Sequence, residues 1–437
     1  MPGDHNEPCD APAHEAAHAE AGTVGPHDAP AAWRRALTPN VLRLGVVSFF
    51  ADVSSEMLYP LMPLFLTVVL GAPVAAVGLI EGAAEATASL LKTVSGRIAD
   101  KTGRRVELVF GGYTLSALAK PLIALAHAWP VVLVARLLDR TGKGFRGSPR
   151  DAILADSVAP ELCGAAFGWH RAMDTMGAVV GPLLALLLLS LMHGNLRNVI
   201  GLAAIPGVIG ALLVLTIVDP RRRNAGHGAG ASAMIAAPVR ARQRLSAMPR
   251  DFKRYLAAWL PFVLTNSSDV FIILRAKQMG FSTTAVVLVY TLYNLVYAAA
   301  SVPLGHLSDR IGRRRVLVGG MLVFAAVYAG FSAATATWQI VALFAAYGVY
   351  IAATDGVGKA FVVDLVPHDV RATSIGLLGT VTGVATLGAS ATAGVLWDVV
   401  GPWAPFALGA AGALASAALF AFMPGLGRQG SAARKAG

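Results

Sequence analysis

Twelve stretches of mainly apolar residues, each long enough to cross a bilayer, make up most of this 437-residue chain. A transmembrane helix needs about 20 apolar residues, and lipid cannot hydrogen-bond an exposed backbone, so we expect each stretch to be a helix. Because 55% of the residues are hydrophobic and only 14% are charged, a soluble protein of this length is excluded. The stretches, numbered spans 1 to 12, lie at residues 41–70, 74–95, 106–127, 131–156, 165–191, 198–218, 255–278, 283–304, 315–334, 338–363, 371–396 and 402–423. Pro60 and Pro63 predict a kink or tilt in span 1.

One ten-residue pattern occurs twice, at the same place in the two halves of the chain. Residues 96–105 read GRIADKTGRR and residues 305–314 read GHLSDRIGRR, 209 residues later; each copy ends one span and precedes the next. Secondary transporters are built from duplicated membrane units of this kind. We therefore predict an all-α membrane protein with twelve transmembrane helices in two pseudo-symmetric six-helix bundles, and transport of a small-molecule solute as its leading function.

The basic residues lie in alternate loops, although a net charge of +11 would by itself also suit nucleic-acid binding. They cluster before span 1, in both copies of the repeated pattern, in residues 219–254 and after span 12, whereas turns such as 71–76 are almost uncharged. This is the positive-inside distribution. It predicts a multi-pass protein of the cell's inner (cytoplasmic) membrane with both termini in the cytoplasm, partnered by the lipid bilayer and not by nucleic acid.

The same distribution divides the chain into five parts. We expect a disordered cytoplasmic tail at 1–38, an N-terminal six-helix bundle at 39–218, a cytoplasmic linker at 219–254, a C-terminal six-helix bundle at 255–425 and a cytoplasmic tail at 426–437. The basic linker would also suit binding to anionic lipid. The first tail contains four histidines and Cys9, whose irregular spacing favours disorder over a metal-binding strand.

Charged residues inside the spans are the candidates for chemistry, because a charge within a membrane is costly and is usually functional. They are concentrated in the first half. Five cations in span 4 are spaced four, three, three and four, which puts them along one face of a continuous helix. They are Arg136, Arg140, Lys143, Arg146 and Arg150. Span 5 adds His170, Arg171 and Asp174 on adjoining turns.

Two pairs of carboxylates occur in spans 1 and 2. Asp52 and Glu56 are four residues apart, as are Glu81 and Glu85, so each pair shares a helix face. Two carboxylates close together in a low dielectric do not both ionise easily, which suits a proton-coupled carrier. The alternative is that they neutralise the span 4 cations in a buried structural network.

The second half contains fewer charges within its spans. Asn266 and Asp269 lie one turn apart in span 7 and could face a cavity. Asn294 occupies the position that matches Glu85 in the repeat. The absence of a carboxylate at that position favours an asymmetric coupling site in the first half.

The repeated pattern resembles the signature of the major facilitator superfamily between its second and third helices, together with the weaker copy between the eighth and ninth. The resemblance covers about residues 40–425. It implies two six-helix bundles around a central cavity and an inner gate in each half. The implied gate residues are Gly96, Asp100, Gly103 and Arg104 in the first half and Gly305, Asp309, Gly312 and Arg313 in the second.

Spans 4 and 5 resemble two further motifs of that family. Span 4 resembles its second motif, which makes Arg136 the proton-linked arginine, but Asp139 and Arg140 stand where a glutamine and a glycine are usual. Span 5 resembles the antiporter motif, with Ala185 in place of an expected glycine; the matching residues are Gly177, Gly181 and Pro182. The blocks at 50–66 and 137–157 resemble a bacterial branch of efflux permeases.

Together these features predict a proton-coupled transporter that exports a small anionic or zwitterionic organic solute, or a drug, by alternating access. We expect the coupling proton to involve Asp52, Glu56, Glu81, Glu85, Arg136 and Asp174. We expect the solute to contact Arg140, Lys143, Arg146, His170, Arg171, Asn266 and Asp269. A metal-ion or metal-chelate carrier and a proton symporter for nutrient uptake are the alternatives.

A receptor or an intramembrane enzyme would belong to a different functional class. The sequence contains no hydrolase motif, no HExxH metal-ligand pair and no phosphate-binding loop. We therefore expect no enzymatic activity, no cofactor and no resident metal. We expect the protein to be a monomer.

Overall fold

The computed structural model describes residues 37–159, 162–220, 248–367 and 371–423, without the side chains of residues 93, 97, 100, 163–165 and 371–373. Nearly all of the two predicted tails, and most of the predicted linker, lie outside these ranges. The described part contains twelve helical spans, six in each half.

The first half runs from α1 to α6. Its helices are α1 (Pro39–Leu58, then Met62–Leu64 and the π-helical Phe65–Val69), α2 (Val74–Thr102), α3 (Arg105–Leu125), α4 (Trp129–Asp156), α5 (Cys163–Leu191) and α6 (Leu196–Leu202 and Ala204–Val214). The second half consists of α7 (Arg250–Val263 and Val270–Gln278), α8 (Thr283–Ile311), α9 (Arg313–Ala333), α10 (Thr337–Leu365), α11 (Arg371–Val399) and α12 (Ala404–Phe422). The α7 helix begins inside the segment 219–254 that the sequence analysis assigned to the linker.

Nine of the helical spans in the described ranges are long and apolar enough to cross a membrane. The other three are α1 and α7, each of which is interrupted, and α4, which contains the basic residues. The predicted all-α fold is confirmed.

Two glycines of the repeated pattern form the turns of equivalent hairpins, α2–α3 and α8–α9. Gly103 has φ +62° and Gly312 has φ +97°, in the left-handed region that favours glycine. These positions are 209 residues apart, like the pattern itself. We call the membrane side that carries both hairpins the hairpin side, and the opposite side the far side.

The helices α1 and α7 are interrupted at equivalent positions. The chain turns at residues 59–61 in α1, where Pro60 provides no N–H, and again at residues 264–269 in α7, which we call the α7 break. With the repeat offset of 209, Pro60 corresponds to Asp269. The two interruptions lie against each other, because the Tyr59 hydroxyl is 3.4 Å from Ser268 Oγ. Interrupted helices at corresponding positions of two halves are typical of substrate and ion sites.

The two halves pack closely along α2 and α11. A Cβ atom on Gly82 would lie 2.9 Å from Leu387 Cα, and one on Gly394 would lie 2.6 Å from Ala75 Cα. Glycine therefore permits the backbones to approach at both points. All four residues belong to the far-side halves of their helices.

Further contacts close the far side. Val287 of α8 packs in one apolar cluster with Ala185 and Leu189 of α5. The Asp398 carboxylate of α11 accepts hydrogen bonds from the first backbone N–H groups of α2, at 3.3 Å from Val74 N and 2.8 Å from Ala75 N. A carboxylate there satisfies orphan donors and favours the positive end of the helix dipole. Asp398 thus joins the two halves at the far side.

Candidate functional site

The basic residues of α4 lie on one continuous helix, despite three glycines and Pro149 within it. Two of the glycines permit contact with neighbouring helices. A Cβ on Gly142 would lie 2.9 Å from Ser116 N of α3, and one on Gly144 would lie 2.7 Å from Leu91 Cβ of α2. The α4 helix is therefore unbroken, which is what the five cations require in order to share one helix face.

Arg136 and Glu81 form a buried bidentate ion pair. Arg136 Nη2 is 2.7 Å from both carboxylate oxygens of Glu81, and Arg136 Nε is 3.0 Å from Oε1. The two side chains are 2% and 5% exposed, so water does not screen the pair. Arg136 Nη1 also lies 3.2 Å from Asp139 Oδ2. Glu81 therefore neutralises a span 4 cation within a buried network, which is the alternative to proton coupling given in the sequence analysis.

Lys120 of α3, which the sequence analysis did not single out, completes this network. Its Nζ donates to the Ser116 carbonyl at 3.1 Å and lies 3.7 Å from Asp139 Oδ1, and the residue is only 1% exposed. A lone lysine in an otherwise apolar span is the signal that could have identified it.

The buried charges around α4 do not balance. We define the α4 charge cluster as Lys120, Arg136, Arg140, Arg146, Glu81 and Asp139, which are all buried. It contains four cations and two carboxylates. Arg140 Nε lies 3.9 Å from Asp139 Oδ2 and has no hydrogen-bond partner among the described residues. Arg146 donates to Ser116 Oγ at 3.2 Å and lies over the Tyr113 ring at 4.3 Å. The cluster therefore has a positive excess.

Lys143 and Glu85 lie beside this cluster but are exposed. Lys143 follows Arg140 by three residues and Arg136 by seven, so it shares their helix face. Lys143 therefore extends the basic face of α4 beyond the buried cluster as an exposed side chain. At the next turns, Arg150 pairs with Asp151 at 2.9 Å.

The predicted site residues of α5 form two separate groups. His170 is buried, and its Nδ1 lies 3.5 Å from Asp174 Oδ2. Arg171 is exposed and crosses to the second half, where Nη2 donates to the Tyr297 hydroxyl at 2.6 Å. Tyr297 in turn donates to Asp355 at 3.3 Å.

The carboxylates of α1 face α5 and α8. Cβ atoms on Gly177 and Gly181 would each lie 2.9 Å from the Cβ atoms of Asp52 and Glu56, respectively, so these α5 glycines permit α1 to pack here. Glu56 Oε2 accepts a 2.6 Å hydrogen bond from the Tyr290 hydroxyl, which belongs to the other half. Neither carboxylate has an ion pair with Lys, Arg or His in the part of the chain that the structure describes.

Asp269 lies at the end of the α7 break among tyrosines. Its two carboxylate oxygens accept hydrogen bonds from Tyr347 at 2.7 Å and Tyr293 at 3.2 Å. The rings of Tyr293 and Tyr290 meet edge to face at 5.0 Å, so the Asp269 and Glu56 contacts are neighbours. Sequence reasoning missed these tyrosines, because an aromatic residue in an apolar span is typical of core packing.

The predicted gate residues lie on the hairpin side, where Gly96 and Arg313 contact neighbouring helices. A Cβ on Gly96 would lie 3.3 Å from Ser148 Cβ, whereas Gly305 has open space beside it. Arg313 lies 3.6 Å from Asp309 and 3.1 Å from Asp364.

In the first half, Arg105 pairs with Asp156 at 2.6 Å. In the repeat, Asp156 corresponds to Asp364, and Arg104 corresponds to Arg313. The arginine that pairs with Asp156 is therefore one position later than the repeat would place it. Arg104 is exposed, and the Asp100 side chain lies outside the described part.

Within the described ranges, no three His, Cys, Asp or Glu side chains come together as metal ligands would; the histidines and Cys9 of the predicted tail lie outside those ranges.

Comparison with known proteins agrees with this architecture. Residues 44–286 and 255–436 match the model of the Major Facilitator Superfamily. An uncharacterized MFS-type transporter of Methanocaldococcus jannaschii is 35% identical over 395 residues, which cover 89% of this chain and 96% of that protein. The multidrug resistance protein MdtH of Aeromonas salmonicida is 28% identical over 252 residues, 56% of this chain and 60% of that protein. A mutant of the nucleoside transporter NupG has the same fold, with a TM-score of 0.72 at 14% identity over 88% of this chain and 99% of that one. This multi-pass membrane protein therefore belongs to the major facilitator superfamily of transporters.

Proposed function

We propose that the protein is a proton-coupled secondary transporter that exports a small anionic or zwitterionic organic solute by alternating access. The observation that carries the proposal is the positive excess of the α4 charge cluster, next to the exposed Lys143. Buried cations without enough carboxylates favour a negative partner, since charge-assisted hydrogen bonds to a carboxylate or phosphate are strong. Arg140, Lys143 and Arg146 are the residues we assign to that partner.

Export is the direction we favour, on two grounds. The fifth helix resembles the antiporter motif, whose Gly177 and Gly181 contact α1 beside Asp52 and Glu56. MdtH, whose name describes multidrug resistance, matches over about half of the chain. Uptake by proton symport would use the same residues and differs only in the direction of flux.

Glu56 is the best placed proton carrier. When ionised, it accepts a short, charge-assisted hydrogen bond from Tyr290 of the other half. Protonation turns this contact into a weaker neutral one, which loosens the far-side closure. We assign Glu81 a supporting role, since it holds Arg136 in a buried pair. Asp52, Glu85 and Asp174 remain further candidates for the proton.

The arrangement of the halves suits one state of an alternating-access cycle. The contacts of α2 with α11, of α5 with α8, and of Asp398 with the start of α2 all lie on the far side. The positive-inside distribution assigns the hairpin side to the cytoplasm of the inner membrane. We therefore interpret this structure as closed toward the outside, and we assign Arg313, whose contacts here stay within the second half, to the gate on the hairpin side.

A flux measurement tests the proposal. The purified protein is reconstituted into proteoliposomes, and a panel of anionic, zwitterionic, cationic and metal-chelate solutes is offered with and without an imposed pH gradient. We expect gradient-driven movement of an anionic or zwitterionic solute against the direction of proton flow. Movement in the same direction as the protons would establish symport, and flux that ignores the gradient would reject proton coupling. Driven flux of metal chelates alone would favour the metal carrier.

A further inference from the structure

Two side-chain oxygens of the α7 break have no hydrogen-bond partner among the described residues. One is Ser267 Oγ, which belongs to a residue only 4% exposed and lies near the Tyr328 hydroxyl, itself without a partner there. Asn266 Oδ1 is also buried and without such a partner, although the amide nitrogen of Asn266 contacts the Tyr350 hydroxyl at 3.5 Å. A buried polar atom without a partner costs about 1–3 kcal/mol and calls for an explanation.

Asp269 adds a carboxylate to the same six-residue segment. It accepts hydrogen bonds from two tyrosines, but no Lys, Arg or His nitrogen of the described chain lies within 4.0 Å of it. Asp269 is half-buried, and a carboxylate drawn out of water without a counterion is disfavoured. Because Asn266, Ser267 and Asp269 lie within four consecutive positions of the break, a cation bound there would be near the oxygen atoms of all three.

The break lies where the first half-helix of α7 ends. The helix Arg250–Val263 stops here, and its Leu260, Pro261 and Phe262 carbonyls accept hydrogen bonds from Leu264 N, Thr265 Oγ1 and Asn266 N, so the side chains of the break are the candidate ligands. In transport proteins, unwound backbone at the C-terminal end of a half-helix is a recurrent location for cations. The interruption of α1 at Tyr59 faces this point across the interface.

We propose that the α7 break binds a monovalent cation through Asp269, Ser267 and Asn266. A single carboxylate with neutral oxygen ligands matches one positive charge, whereas Ca²⁺ and Mg²⁺ sites favour additional carboxylates or phosphates. The cation is either an alkali metal ion or the ammonium group of a solute, whose charge the rings of Tyr293 and Tyr347 would also stabilise. As a subsite for coupling or for a zwitterion, this site rests on the transport function proposed above; the binding itself does not.

Thermal unfolding of the purified full chain in detergent tests the site without any need for transport. The unfolding midpoint is measured in NaCl, KCl, methylammonium chloride and N-methylglucamine chloride at equal ionic strength and fixed pH. The variants are Asp269→Asn and Ser267→Ala. The matched controls are Asp355→Asn, which removes a charge from the same half, and Ser301→Ala, whose hydroxyl bonds within its own helix.

We expect a saturable rise of the unfolding midpoint with one small cation but not with N-methylglucamine. Stabilisation by Na⁺ or K⁺ identifies an alkali ion, and stabilisation by methylammonium alone identifies a solute amine. Each site variant should weaken the apparent affinity by about tenfold or more, while the controls retain it.

Two results would overturn the proposal. One is an equal response of the native chain to all four salts. The other is a cation response that persists unchanged in Ser267→Ala and Asp269→Asn. Cation binding without gradient-driven flux would instead reject the transport mechanism and leave this site in place, so the two failures are distinguishable.

Discussion

At the scale of single residues, two neighbouring arginines of α4 differ in how closely a carboxylate approaches them. They are Arg136, which pairs with Glu81, and Arg140. Arg136 has three contacts of 3.0 Å or less with one carboxylate. Within the described ranges, Arg140, one turn away, comes no closer to a carboxylate than 3.9 Å, at Asp139. Removal of one member of a satisfied buried pair leaves an uncompensated charge, whereas removal of an excess charge does not. The two arginines should therefore respond differently to substitution.

Replacing Glu81 should destabilise the protein strongly. In Glu81→Gln, Arg136 remains buried without its carboxylate, and we expect a loss of about 3–5 kcal/mol in the free energy of unfolding. The control is Asp251→Asn, which breaks a pair whose Arg254 side chain is 49% exposed and should cost about 0–1 kcal/mol. Both are measured by thermal unfolding in detergent, and a similar small loss in the two variants would contradict the structural role of Glu81.

Replacing Arg140 should affect solute binding more than stability. In Arg140→Met the positive excess falls by one charge, so we expect the unfolding midpoint to stay the same or to rise. Affinity for an anionic solute should fall by about tenfold or more, because a charge-assisted hydrogen bond contributes about 1.5–3 kcal/mol. Arg254→Met at the exposed start of α7 is the control. A loss of stability as large as that of Glu81→Gln would show that Arg140 is a structural residue.

The candidate residues could be predicted from the sequence better than their partners. Charges within apolar spans identified Arg136, Glu81 and Asp269, because a membrane makes any charge conspicuous. That Arg136 joins Glu81 across 55 positions depends on how α2 and α4 pack, which helical spacing does not specify. Tyr290 was unpredictable for a related reason, since its hydroxyl reaches Glu56 only when the two halves meet.

At the scale of helices, the junction of α2 and α11 depends on small residues and one carboxylate. Glycines permit the backbones to approach, and Asp398 accepts hydrogen bonds from the first N–H groups of α2. Such a contact holds the helix end only while the far side is closed. Asp398 should therefore stabilise the closed state specifically.

Removing this carboxylate should open the far side more often. Asp398→Ala removes a capping acceptor, worth about 0.5–2 kcal/mol, so the open population should rise by about fivefold. Labelling of a single thiol at Ala76→Cys, a buried position near the far-side end of α2, measures this when both native cysteines are replaced. Asp398→Asn, which keeps an acceptor oxygen, should label slowly. Equal labelling rates in the parent and the alanine variant would contradict a role for this contact.

The hairpins and the α1 kink were predictable, and the α7 break was not. The repeated pattern separated two spans in each half, and Pro60 predicted the kink; the turns form at Gly103, Gly312 and residues 59–61 because glycine and proline act on the local backbone. The α7 break contains neither residue type within 264–269. It contains short polar side chains that compete with helix hydrogen bonds, as when Thr265 Oγ1 donates to the Pro261 carbonyl. Such residues weaken a helix without specifying where it ends.

At the scale of the whole molecule, the two halves share a scaffold but differ in their polar interiors. The first half contributes the α4 charge cluster, and the second contributes tyrosines around Asp269. The repeat in the sequence predicted the shared scaffold, and its departures from symmetry indicated where to expect the site. The hydrogen bond from Tyr290 to Glu56 connects the two interiors at the interface that must separate during transport.

We infer that protonation of Glu56 couples the proton gradient to this separation. Glu56→Gln keeps an acceptor for Tyr290 but cannot titrate, and Glu107→Gln, at an exposed carboxylate of α3, is the control. The most direct measurement compares gradient-driven flux with solute exchange at equal pH in proteoliposomes. We predict that driven flux falls by about tenfold or more in Glu56→Gln while exchange continues. Driven flux equal to that of the control would contradict the claim.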